Sequence, residues 1–265
     1  KKTGEDNEQY ERKTTVTFPN KAYGFSEKPK QETIVIKNAT LWTNEKDGII
    51  PVGTVVIEKG KIVYAGSGEY VTPRDATVYD ALGKHVTSGI IDEHSHIAIS
   101  KGVNEGGQAI TSEVSIAHVV NPDDINIYRQ LSGGVTASQL LHGSANPIGG
   151  QSAMIKLKWG HSASEMLVPN APQFIKFALG ENVKQSNWGR QFNSRFPQTR
   201  MGVEQLYYDA FNRAKLYEAL KIEKPNNYRT DLELEALLEI LNKERFITCH
   251  SYIQSEINML MKVAD

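Results

Sequence analysis

The 265-residue chain carries 30 Lys and Arg against 31 Asp and Glu, a formal net charge of −1, with 39% hydrophobic residues. That balance gives no electrostatic case for nucleic acid or an anionic membrane, and no apolar run approaches the roughly 18 residues of a membrane-spanning helix. One cysteine, Cys249, excludes an internal disulfide framework and a cysteine-based zinc site, so small molecules or proteins are the partners to look for.

Residues 1–32 are polar and charged, with Pro19 and Pro29, and read as an N-terminal arm or linker. The start has no apolar h-region, so any export signal is expected to have been removed. From Thr33 the texture changes to short β-branched strands: Thr33–Trp42, Gly53–Glu58, Lys61–Gly66 after a Lys59-Gly60 turn, and Ala76–Asp80. They make a small β unit over residues 33–83. Strands then alternate with helices through residues 84–265. Gly89–Asp92 is a short strand. Asn121 reads as an N-cap with Pro122 at the first helical position and Asp123 and Asp124 in the first turn, opening a helix to about Leu131 that stops at Ser132-Gly133-Gly134. Strands follow at Val135–Leu141, Phe174–Leu179 and Phe246–Cys249, with helices at Val203–Leu220, at Asp231–Lys243 and from about Gln254 onward. Gly149-Gly150 reads as a flexible turn. Alternation of this kind predicts a parallel sheet with crossover helices.

Chemistry collects at the predicted strand ends. His94 and His96 follow the Ile90-Ile91 strand two residues apart, so both side chains point the same way and can hold one metal ion. His250 follows the Phe246–Cys249 strand, in the same topological position. Three imidazoles at one end of a sheet suit Zn²⁺ or a similar divalent ion. Lys176 lies between Ile175 and Phe177 in an apolar strand. A buried ammonium must pair, snorkel or lose its proton, and a neutral lysine beside divalent ions can add carbon dioxide and bridge two of them as a carbamate. His142, just after the Val135–Leu141 strand, is placed either to bind or polarise substrate or to support such a site by hydrogen bonding. Lys184, Arg190, Arg195 and Arg200 against Glu181 make a basic loop that either clamps a substrate carboxylate or is a solvated surface loop. Asp92 shares the parity of His94 and His96 and is read as support. His85, His118 and His161 are read as structural or exposed, and Trp42, Trp159 and Trp188 as core or rim residues.

The run Gly83-Lys84-His85-Val86-Thr87-Ser88-Gly89-Ile90-Ile91-Asp92-Glu93-His94-Ser95-His96, the stretches Leu141–Ser152 and Ile175–Asn182, and Cys249-His250-Ser251 resemble the amidohydrolase superfamily, specifically its imidazolonepropionase-related branch. Several separated segments match in order from about residue 33 onward; Ser88 stands where relatives usually have proline. The resemblance implies a distorted (β/α)₈ TIM-like barrel beside a small β-sandwich. It implies His94, His96, Lys176 and His250 as ligand positions for one or two divalent metal ions, zinc first, manganese or iron also compatible. A further His from the sixth barrel strand and an Asp from the eighth complete such sites, and neither lies in this sequence. The implied function is hydrolysis of a C–N bond in an amide, cyclic amide or dipeptide-like small molecule by metal-activated water, with Lys176, His250 and His142 nearest the chemistry. The resemblance favours a periplasmic or secreted protein, a cytoplasmic one being compatible. The competing reading is a non-catalytic barrel module serving interaction or stability in a longer chain.

Length sharpens these expectations. Once the arm and β unit are set aside, about 180 residues remain, short of the ~250 of a complete barrel. Barrel strands 1 to 5 are expected here, with open edges that a stable monomer does not tolerate. The missing C-terminal barrel half is expected on the same or a separate chain, and a homo-oligomer is compatible with that.

Overall fold

The computed structural model describes residues 15–68, 70–185, 188–189, 191 and 195–265. The first 14 residues of the predicted arm and Arg190 of the predicted basic loop lie outside the described residues. The rest of the arm packs on the body of the protein. Tyr23 stacks on Tyr128 at 4.7 Å, its carbonyl accepts the Trp159 indole N–H at 2.9 Å, and Lys28 pairs with Glu165 at 2.7 Å.

The β unit is one five-stranded sheet. Strand β1 (Ile34–Trp42) pairs antiparallel with β2 (Ile49–Glu58), which pairs with β3 (Lys61–Gly66). On its other side β1 takes two short parallel partners in succession, β4 (Thr77–Asp80) and β5 (His85–Thr87). Ala39, Leu41, Val55 and Ala81 form its core.

The remaining elements make two three-stranded sheets. In one, β6 (Ile90–Ser95) runs parallel to β7 (Val135–Leu140), and β9 (Ala153–Lys156) lies antiparallel on β7. In the other, β10 (Gln173–Ala178) pairs parallel with β11 (Arg245–His250) and antiparallel with β8 (Ile148–Gln151). Only Ser152 separates β8 from β9, so one bent run of chain serves both sheets. The parallel pairs agree with the expected alternation. The antiparallel β8–β9 run does not, and it corrects the reading of Gly149-Gly150 as a flexible turn, because both glycines are buried inside β8. A Cβ on Gly149 would stand 2.7 Å from His142 Nδ1 and 3.0 Å from the Lys176 carbonyl, so this strand approaches only because it has no side chain there. The described residues form no closed barrel. The edges, β6 and β11, leave Ile90, Ile91 and Phe246 more than half exposed.

Helices cover one side of these sheets. Helix α1 (Ile125–Ser132) and the short α2 (Ala163–Met166) pack Ile127 and Met166 against Leu140 and Ile155. The N-cap of α1 is Asp124 rather than Asn121. Asp124 accepts the Asn126 N–H at 3.0 Å and the Ala98 N–H at 2.7 Å, while the Ala98 carbonyl accepts the Asn121 N–H. This brace to Ala98 holds Asn121–Asp124 in a turn outside the helix. Helix α3 (Arg200–Glu223), capped by Thr199, and α4 (Leu232–Leu241), capped by Asp231, bury Val203, Leu206, Tyr207, Ala210 and Leu237 against Ile148, Ile175 and Phe177. Helix α5 (Gln254–Ala264) follows β11. Among the described residues no helix is long and apolar enough to cross a membrane.

Tyr207, fully buried, aims its hydroxyl at the Pro147 carbonyl (2.6 Å) and the Ala178 carbonyl (2.9 Å), tying α3 to the ends of β8 and β10. Tyr207→Phe strips that donor from a site water does not reach, and is expected to lower stability by about 1–3 kcal/mol in urea unfolding of the full-length protein.

Candidate metal centre

Strand parity explains how the site is assembled. Ile175 and Phe177 face the helices, so Lys176 points to the opposite side of the sheet. In the parallel register Lys176 lies beside Thr248 and Ala178 beside His250, which puts Lys176 and His250 on one face. One layer below, Phe174 and Phe246 close the same face with rings 5.6 Å apart.

His94 and His96 come from the end of β6. Their rings meet edge to face at 5.3 Å, and His94 Nε2 lies 3.3 Å from Lys176 Nζ. The structure therefore brings His94, His96 and Lys176 together, with His250 sharing the face of Lys176. Asp92 does not join them. The β6–β7 register shifts between Asp92 and Ser95, which breaks the parity read from the sequence, and Asp92 Oδ1 instead accepts the His94 N–H at 3.2 Å. Among the described residues no three His, Cys, Asp or Glu side chains are grouped closely enough to hold an ion by themselves.

The electrostatics favour uncharged donors. Lys176 is fully buried and no acid among the described residues pairs with it, and desolvation holds its pKa below the ordinary lysine value. Desolvation, with the Lys176 charge as a second cause, lowers His94 and His250 as well. His96 Nδ1 lies 2.9 Å from the Leu141 carbonyl, which can only accept; Nδ1 therefore carries a proton, and Nε2 is the nitrogen that remains to bind an ion. Cys249 faces away from this side, and burial pushes its thiol up to about 12, so it is no thiolate ligand.

His142 is buried with both nitrogens engaged. Nδ1 lies 2.9 Å from the Gly143 carbonyl and Nε2 accepts the Glu105 N–H at 2.8 Å, a pattern only the neutral Nδ1–H tautomer satisfies. Of its two sequence readings this geometry supports the hydrogen-bonding one: the ring ties the segment after β6 to the end of β7. The basic loop separates similarly. Lys184 and Arg200 both pair with Glu181, and Arg200 also with Glu256, while Arg195, among the described residues, donates to backbone carbonyls alone. His85 accepts the Trp42 indole N–H at 2.9 Å and His161 lies 3.5 Å from Glu165, in line with structural roles.

Sequence reasoning missed Tyr252. Its ring lies 5.5 Å from that of His250, it packs on Gly180, and its hydroxyl accepts the Glu181 N–H at 2.8 Å. Its place two residues after a strand-end histidine was the available signal. Gly180 has φ +82, and a Cβ there would stand 2.6 Å from the Tyr252 ring, so glycine is required on both counts.

No family model matches the chain. It is 31% identical over 271 residues to "Amidohydrolase tasK" of Hapsidospora irregularis, covering 86% of this chain and 27% of that protein. A shorter match, 53% identical over 49 residues, is to the imidazolonepropionase of Fusobacterium nucleatum and covers 17% of this chain and 12% of that one. Among solved structures, an amidohydrolase from Thermotoga maritima superposes with a TM-score of 0.75 at 30% identity over 87% of this chain and 61% of its own. The chain thus spans about a quarter of the first relative and three fifths of the solved structure. Sequence and backbone agree over the same extent of chain, and the matched proteins are amidohydrolases, in line with the amidohydrolase superfamily.

Proposed function

We propose that this chain supplies the first metal-binding elements of a hydrolase that cleaves a C–N bond of an amide, cyclic amide or dipeptide-like small molecule with water. The observation that carries the reading is the meeting of His94, His96 and a fully buried Lys176, unpaired with any acid among the described residues, at one end of the sheets, with His250 on the same face. These residues fit a divalent ion: desolvation biases the His94 and His250 imidazoles toward the neutral form, and the Leu141 carbonyl takes up Nδ1 of His96, leaving Nε2 as its donor position. When bound, such an ion supplies Lewis-acid activation of water and of the scissile carbonyl. The imidazole-rich donors favour zinc, and manganese or iron suits the oxygens that a carbamate adds.

Lys176 supports the two-ion form. Its neutral amine can add carbon dioxide, forming an N–C bond and releasing one proton, which replaces an uncompensated buried cation by an anion with two donor oxygens. His142 and Asp92 then act through hydrogen bonds that hold the strand ends. The exposed apolar edges at β6 and β11 support further barrel strands pairing there, from the same or a separate chain.

The test is metal analysis of the full-length protein together with a panel of N-acyl amino acids, dipeptides and cyclic amides. One or two divalent ions per chain and hydrolysis of at least one class are expected. A full-length protein that binds no ion and cleaves nothing would instead be the non-catalytic module.

A further inference from the structure

The strand exits that carry Lys176 and His250 are joined by a chain of polar contacts that ends on one arginine. Beyond the β10–β11 ladder the Leu179 N–H donates to the His250 carbonyl at 2.8 Å, and the Glu181 N–H donates to the Tyr252 hydroxyl at 2.8 Å. The Glu181 carboxylate then pairs with Lys184 at 2.8 Å through one oxygen and accepts from Arg200 Nη2 at 2.7 Å through the other. Arg200 Nε donates to Glu256 in helix α5. One guanidinium thus binds an acid that follows Lys176 on its strand exit and an acid that follows His250 on the next.

The placement of this pair is not what either helix prefers by itself. Arg200 is the first residue of α3, where the helix dipole disfavours a cation. Glu256, in the first turn of α5, is only 6% exposed, and its Oε2 has no hydrogen-bond partner among the described residues. A carboxylate buried to that extent needs a counter-charge, and among the described residues the ion pair that supplies it is with Arg200, 56 residues earlier. The contact also uses what is particular to arginine: Nε and Nη2 belong to one rigid plane, so the two carboxylates are held at one separation, which the point charge of a lysine would not fix.

Tyr252 transmits that separation to the ligand position. Its hydroxyl is held by Glu181, its ring packs on Gly180, and it meets the His250 ring edge to face at 5.5 Å. Arg200 therefore bears on His250 by two routes, through Glu181 to Tyr252 and through Glu256 to the helix that follows β11. It touches none of the ligand positions itself.

We propose that Arg200 is a positioning residue of the candidate metal centre, whose fork between Glu181 and Glu256 locks the exits of β10 and β11 together and so holds the His250 imidazole in register with Lys176. This role rests on the proposed centre and is independent of the bond the enzyme cleaves.

The test is the zinc affinity of the full-length protein, read by competition with a chromophoric chelator, beside the urea midpoint of the metal-free protein. Arg200→Gln is expected to bind zinc about tenfold or more weakly, as residues that orient metal ligands do. It also leaves Glu256 buried and unpaired, so its midpoint falls. Adding Glu256→Gln removes that charge and separates the two roles: the midpoint is expected to recover, while zinc affinity stays about tenfold low. Recovery of both would make Arg200 a counter-ion only and overturn the proposal, as would native affinity in Arg200→Gln. If Arg200→Gln does not fold, Glu181→Ala decides, because it keeps the Arg200–Glu256 pair: it must weaken zinc several-fold, and unchanged affinity overturns the proposal. A native protein that takes up no zinc would refute the centre and this role with it, whereas native uptake with unaltered variants refutes the role alone.

Discussion

Lys176→Met in the full-length protein is expected to lose at least one metal ion per chain and to reduce kcat/KM by about 10²–10⁴-fold, without loss of thermal stability. The two halves of this expectation come from one fact. Lys176 is fully buried, and among the described residues His94 Nε2 at 3.3 Å is its one side-chain hydrogen-bonding contact and no acid pairs with it. An ammonium there has a desolvation cost that no partner offsets, and an apolar side chain of similar length fits the same space without it. A purely structural lysine would show the opposite pattern, stability falling and metal content unchanged. Elemental analysis and thermal unfolding of the same preparation separate the two. Metal content equal to the native protein's, with activity intact, would assign the site to one ion held by histidines.

Much of this face was legible in the sequence because it follows from strand parity. An apolar run of Ile175, Phe177 and Leu179 interrupted by one lysine admits few physical explanations, and His94, His96 and His250 each follow an apolar strand. The long helices were legible from their apolar spacing, while the caps at Thr199 and Asp231 come from the structure; α3 extends about one turn beyond the expected Val203–Leu220 at each end.

What could not be read depended on partners distant in sequence. Nothing in Ile148-Gly149-Gly150-Gln151 has strand propensity beyond its first residue; the strand exists because its glycines admit the His142 ring and the β10 backbone. The N-cap of α1 moved to Asp124 because of Ala98, 26 residues earlier. The basic loop looked uniform until Glu256 was seen to compensate Arg200, 56 residues away in sequence, leaving Arg195 as the cation without an acid among the described residues. Parity failed at Asp92 because a register shift is a property of two strands together. Local chemistry was visible in the sequence, then, but the compensation of charge and the close approach of backbones were not.

Gly149→Ala carries the second large expectation, because one methyl tests the tightest approach in the site. The added Cβ would lie 2.7 Å from His142 Nδ1, 3.3 Å from its Cγ and 3.0 Å from the Lys176 carbonyl. Neither neighbour yields cheaply: the imidazole is bonded through both nitrogens to backbone groups of Glu105 and Gly143, and the carbonyl belongs to the strand that carries Lys176. The overpacking is expected to cost about 1–3 kcal/mol in urea unfolding of the full-length protein, and metal content should fall as the Lys176 backbone is displaced. Gly107→Ala is the matched control, since its Cβ would meet only Glu105 Oε1 at 3.6 Å; it should change stability by no more than about 0.5 kcal/mol. The mechanism is tested by adding His142→Ala, which empties the space the new methyl enters. If the clash is with the ring, the double variant must be more stable than the sum of the single losses, by a coupling of about 0.5–3 kcal/mol. Strict additivity would place the cost at the Lys176 carbonyl instead, and metal loss would then persist in the double variant.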